Sequence, residues 1–96
     1  MNLFSFPGDA RWNETTGAVE FGVEIGEYRG VVRVRRRVFQ ALLQSRPTPQ
    51  GCVEAYHFNR AAFERAAETK LRRRDLADDG NLELTLRDLK SLSDRR

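Results

Sequence analysis

The chain has 96 residues, 40% of them apolar and 32% charged, the balance of a folded globular domain rather than a disordered segment. Its formal charge is only +3, from 17 basic and 14 acidic residues, so composition alone does not mark a polyanion binder. One cysteine, Cys52, and one histidine, His57, rule out an internal disulfide and a zinc site of the common His/Cys kind.

No apolar run approaches the ~18–20 residues needed to span a bilayer. The opening Met1-Asn2-Leu3-Phe4-Ser5-Phe6-Pro7 lacks a basic n-region and carries too short an apolar stretch for a signal peptide. A cytoplasmic protein without a membrane role is therefore expected, folded as one domain over 1–96.

Residues 1–10 read as an irregular lead-in, with a turn at Pro7-Gly8-Asp9. Arg11-Trp12-Asn13 suits a short edge strand, and Glu14-Thr15-Thr16-Gly17 a turn. Ala18 to Ile25 is the clearest strand. Val19, Phe21, Val23 and Ile25 fall on one face and Glu20, Gly22 and Glu24 on the other, predicting a dry side and a wet side. Gly26-Glu27 suits a hairpin connection, and Tyr28 to Arg35 returns as the partner strand. Val32 and Val34 face inward, Arg33 and Arg35 outward, and Gly30 predicts a bulge or weakened pairing. On the wet side the glutamates of the first strand oppose Arg29, Arg33 and Arg35 of the second.

From Arg36 the apolar period changes from two to helical. Val38, Phe39, Leu42 and Leu43 form one stripe of a helix running to about Ser45, beyond which Pro47 and Pro49 forbid continuation. A helical segment over Gly51 to Phe58 presents Cys52, Val53, Ala55 and Tyr56. A second, from Arg60 to Arg74, presents Phe63, Ala66, Ala67, Lys70 and Leu71. Phe58 would point away from Tyr56 and Phe63 on one straight helix, so a break is expected, with Asn59 as N-cap of the second helix. One long helix with Phe58 buried against a partner chain is the alternative. Asp78-Asp79-Gly80-Asn81 forms a turn and Leu82-Glu83-Leu84 a short strand. Thr85, with Asp88 three residues on, caps a last helix bearing Leu86, Leu89 and Leu92, and residues 93–96 are expected to fray. The fold class is α+β: a small antiparallel sheet, a hairpin or three strands plus a short late strand, with two to four helices on one face.

Three stretches together resemble the small bacterial proteins grouped as domain of unknown function 1488. They are Arg11-Trp12-Asn13 with Val19-Glu20-Phe21; Ala55-Tyr56-His57-Phe58-Asn59-Arg60 running on to Phe63, Ala66, Ala67 and Lys70; and Leu82-Glu83-Leu84-Thr85 closing on Asp88-Leu89. In that family an aromatic precedes an arginine by four positions, ahead of a helix with paired alanines and a basic residue. Tyr56, Arg60, Ala66, Ala67 and Lys70 match it. The resemblance spans roughly Phe6 to Leu89 and implies a compact α+β domain, but no activity. The Arg33 to Arg37 segment and the Leu76 to Asp79 extension depart from the family pattern.

Few residues carry chemistry. His57 has Glu54 three residues before it and Arg60 three after, the spacing of an oriented base with an anion clamp, yet no nucleophile is paired with it. A surface histidine is the simpler reading, and no catalytic residue is assigned. Cys52 reads as a small hydrophobe, unless Gly51 starts a helix there and lowers its pKa. Asp75, Asp78, Asp79 and Asn81 lack the ligand series of a calcium loop, and no phosphate-binding glycine loop occurs. No cofactor or metal is expected.

Two surfaces remain. Trp12, Tyr56, His57, Phe58 and Arg60 outline a pocket or partner surface. Arg33, Arg35, Arg37, Arg72, Arg73 and Arg74 outline a basic patch able to meet phosphates. Arginine supplies 15 of the 17 basic residues, which also fits the codon usage of a GC-rich genome. The expected role is a non-catalytic binding or accessory module or homodimer, its partner unspecified. A nucleic-acid-binding accessory is the alternative, and a small enzyme using His57 a third reading.

Overall fold

A computed structural model of the chain describes residues 4–93. The elements run β1 (Arg11–Asn13), β2 (Ala18–Ile25), β3 (Tyr28–Arg35), α1 (Arg36–Leu43), α2 (Pro49–Phe58), α3 (Arg60–Arg72), β4 (Leu82–Leu84) and α4 (Leu86–Ser93). The strands form one sheet in the order β1-β2-β3-β4. This is the expected α+β class, with one addition: the late strand joins β3 in parallel, so the sheet is mixed. Ser93 ends α4; the rest of the tail assigned to 93–96, and residues 1–3 of the lead-in, lie outside the described residues.

The hairpin forms as its alternation demands. Only Gly26 and Glu27 separate the strands, and Gly26 takes φ 58°, a left-handed conformation open to glycine without steric cost. That tight connection sets the pairing Val19↔Val34, Phe21↔Val32 and Val23↔Gly30. Val19, Val23, Val32 and Val34 are fully buried on the helix-covered face. An aromatic chain runs through this layer. Phe6 meets Phe21 at 6.1 Å between ring centroids, Phe21 meets Tyr56 at 4.7 Å, and Phe63 lies 5.5 Å from both Tyr56 and Phe39.

Gly30 lies within unbroken pairing, which corrects the expected bulge. The glycine is needed for another reason: a Cβ there would come within 2.2 Å of the Tyr28 hydroxyl. The Tyr28 ring lies back across Gly30 so that its hydroxyl can donate to the Gly80 carbonyl at 2.9 Å. The hairpin is thereby fastened to the turn before β4.

The expected wet face is closed over at its centre, while Arg29 at its end stays exposed. Glu20 is only 9% exposed, because Asn13, Thr16 and Arg33 all reach its carboxylate. The lead-in is also less irregular than its composition suggests. Ser5 bridges to Glu24 as an extra antiparallel pair, and the Pro7 carbonyl sits against Gly22, where a Cβ would approach to 3.0 Å.

In α1 the stripe divides. Val38 and Phe39 are buried, while Leu42 and Leu43, on the last turn before Gln44 ends the helix at φ 55°, stay substantially exposed. Helix α2 begins two residues earlier than expected. The Thr48 hydroxyl accepts from the Gly51 amide at 3.0 Å and Pro49 occupies the first turn, so this proline starts a helix as well as blocking the one before. Helix α3 stops at Arg72 rather than Arg74, which takes a left-handed φ of 55°.

The break at Asn59 occurs, but its chemistry differs from expectation. Asn59 makes no side-chain N-cap bond to α3; its amide donates back to the Ala55 carbonyl at 3.1 Å and finishes α2 instead. Thr85 and Asp88 form the expected capping box. The Thr85 amide donates to the Asp88 carboxylate at 2.7 Å, and the Asp88 amide donates to the Thr85 hydroxyl at 3.3 Å.

Substituting Gly30→Ala should push Tyr28 aside and lose its bond to Gly80, costing about 1 kcal/mol, the worth of one hydrogen bond. Tyr28→Phe should cost a similar amount, and the double variant little more than either single one. Denaturant unfolding of the three proteins measures this non-additivity.

Candidate functional site

The residues singled out from the sequence do not converge on one spot; they distribute over a helix corner, a charged sheet face and a groove. At the α2–α3 corner, Tyr56 points inward and is 2% exposed. Burial pushes its hydroxyl pKa up to about 12, with Glu64 adding to the shift and Arg60 opposing it. His57 is exposed and meets Tyr56 edge-on, with ring centroids 5.3 Å apart. Arg60 is also exposed, its Nε held 2.7 Å from the Glu64 carboxylate. The Tyr56–Arg60 spacing thus joins a core ring to a surface ion pair.

Phe58 is 92% exposed. The break that separates α2 from α3 does not bring it inside. Ala61 and Ala62, on the first turn of α3, are exposed as well. Trp12 lies elsewhere, on β1, half-buried against the core with the Arg36 guanidinium 5.4 Å from its ring centre.

The arginine cluster is divided by its partners. Arg33 pairs in register with Glu20 on β2 and Glu83 on β4, and its guanidinium reaches Glu20 at 3.4 Å, Asp79 at 3.2 Å and Glu83 at 3.9 Å. Arg35 holds Glu83 at 2.8 Å and donates to the Thr16 carbonyl at 3.1 Å. These two arginines knit three strands together. Arg37, at the start of α1, is exposed and makes no ion pair among the described residues. Arg72, Arg73 and Arg74 are exposed where α3 ends; Arg72 lies over the Phe4 ring at 5.2 Å. Cations there offset the helix macrodipole.

Sequence reasoning missed Lys70 as a junction. Its ammonium donates to the Glu83 carbonyl at 2.6 Å and to the Asp88 carboxylate at 2.9 Å, joining α3, β4 and the α4 cap. Its place on the buried stripe of α3 was the available signal, since a lysine there requires acceptors. Burial works against the Asp88 carboxylate, yet the bonds from Lys70 and from the Thr85 amide hold it below the usual carboxylate range. Arg35, above all, holds Glu83 low as well, against a smaller effect of burial.

Cys52 is fully buried within α2 rather than at its start. Burial pushes its thiol up, and the nearby Arg36 only partly offsets this, so the lowered pKa considered from sequence is corrected. Among the described residues no group of three His, Cys, Asp or Glu side chains is placed to hold a metal ion, and no helix is long and apolar enough to cross a membrane.

A groove runs between α1 and the β4–α4 segment. Val38, Ala41, Leu84 and Leu86 give it an apolar lining, Arg35, Arg37, Glu83 and Thr85 add polar groups, and its cavity volume is about 220 Å³.

The chain matches a family model over residues 4–84, described as "Protein of unknown function (DUF1488)". The matched segment contains the Tyr56, Arg60, Ala66, Ala67 and Lys70 pattern. A crystal structure of a protein of unknown function from the same family, from Shewanella loihica PV-4, superposes with a TM-score of 0.77. The likeness covers 84% of this chain and 90% of that one at 13% sequence identity, a level at which it shows the fold. No curated protein matches the sequence.

Acid should loosen the β4–α4 end first. Glu83 and Asp88 both titrate below their ordinary values, so their stabilisation is complete above the unfolded-state pKa near 4 and is lost as pH falls through the lowered folded values. Unfolding monitored from pH 7 to pH 2 should show this decline, and Asp88→Asn should flatten part of it. Lys70→Met should cost about 1–3 kcal/mol at pH 7, by leaving Asp88 and the Glu83 carbonyl without their donor.

Proposed function

Because this chain belongs to the DUF1488 family, whose description carries no activity, we propose its function from geometry: a non-catalytic, cytoplasmic protein-binding module that self-associates through the α2–α3 corner. One observation carries the reading. Phe58, a large aromatic side chain, is 92% exposed on a helix end held firm by the Asn59 bond to Ala55. Burying such a ring at an interface removes roughly 1.5–3 kcal/mol of unfavourable hydration. Aromatic rings in this situation are characteristic anchors of protein interfaces.

The chemistry around the corner favours binding over catalysis. His57 is exposed and makes no side-chain hydrogen bond among the described residues, so nothing orients it as a base. The Glu64 pairing occupies the Arg60 guanidinium that would clamp an anion. The arginines give nucleic-acid binding less support than their number suggests. Arg33 and Arg35 are neutralised by Glu20, Asp79 and Glu83, which leaves Arg37 and the α3 end without them.

Sedimentation over a concentration series tests the proposal. Phe58→Ser should abolish association while leaving unfolding free energy within about 0.5 kcal/mol of the parent, because the ring makes few contacts within its own chain. A protein that remains monomeric at its highest soluble concentration overturns the reading.

A further inference from the structure

We propose that the surface receiving Phe58 is the groove between α1 and the β4–α4 segment of a second copy, two chains exchanging Phe58 rings about a two-fold axis. This rests on the self-association proposed above and adds its missing half. The groove volume of about 220 Å³ lies below the roughly 300–1,000 Å³ of pockets that enclose a drug-sized ligand. It suits one large side chain better than a cofactor. Val38, Ala41, Leu84 and Leu86 give it the apolar lining that an aromatic guest requires.

Charge supplies the orientation. Glu54 and Phe58 are four residues apart on α2 and share one helix face. Glu54 is exposed and receives only the neutral Gln50 amide, at 3.2 Å. In the groove lining Arg37 is exposed and makes no ion pair among the described residues, while its neighbour Arg35 is already held by Glu83. A helix that seats Phe58 in the groove brings Glu54 to Arg37. No acid stands in the first turn of α1, and Glu83, which lines the groove, is held by Arg35 at 2.8 Å and feels Arg37 less, so an incoming glutamate still meets a cation without an ion-pair partner among the described residues. An isologous pair satisfies both contacts twice.

A charge exchange read by sedimentation equilibrium tests the pairing. Glu54→Arg and Arg37→Glu should each weaken the dimer about tenfold, the loss of one interfacial charge pair, and the double variant should recover most of that affinity. Ala41→Glu, at an exposed position in the groove lining, should dissociate the dimer with an unchanged circular dichroism spectrum. If Phe58→Ser dissociates the dimer while Ala41→Glu and Arg37→Glu leave it intact, the groove is the wrong receptor and self-association stands. If the parent protein never associates, both readings fall together.

Discussion

The two-residue connection at Gly26-Glu27 governs this molecule. A longer loop would let β3 slide on β2, and a shift of one residue would turn every valine of the core toward solvent. With the register fixed, Val19, Phe21, Val23, Val32 and Val34 all face the helices. The same register places Glu20 directly beside Arg33 on the other side, and the parallel addition of β4 then brings Glu83 to the far flank of Arg33. Core and charge network are two faces of one pairing. Neither forms without the other.

Charges here act mainly as joints. Arg33 and Glu20 are each only about a tenth exposed, so their attraction is screened less than that of a solvated pair, while both bear a cost of leaving water. The arrangement answers that cost with numbers: three carboxylates surround Arg33, and Asn13 and Thr16 add hydrogen bonds to Glu20. Lys70 plays the corresponding part on the helix side, where it holds together the last strand and the cap of the last helix. β4 has only three residues, and contacts of this kind add to its pairing with β3 and to the burial of Leu82 and Leu84.

Much of the architecture was legible because its signals are local. Alternation in Ala18 to Ile25, the change of period at Arg36 and the Thr85–Asp88 box each depend on neighbours in sequence, and each element stands where its pattern puts it. What escaped notice depends on distant partners. Gly30 looked like a defect, because the Tyr28 ring that lies across it is directed by Gly80, fifty residues away. Glu20 looked solvated, because Arg33 and Thr16 close over it only in the folded sheet. Asn59 marked the helix break correctly, yet its side-chain amide donates back to the Ala55 carbonyl and so closes α2 rather than opening α3. Among the candidate functional residues, Phe58 was readable as the one aromatic off the apolar stripe; the groove was not, because its walls come from opposite halves of the chain.

The Lys70 contact with β4 has a further consequence. A terminal strand with free backbone groups invites another strand to lengthen the sheet, and repeated addition leads to cross-β fibres. Here the Lys70 ammonium, itself paired with Asp88, already occupies a main-chain carbonyl of that strand. Addition of a further strand by backbone pairing is thereby discouraged at this edge.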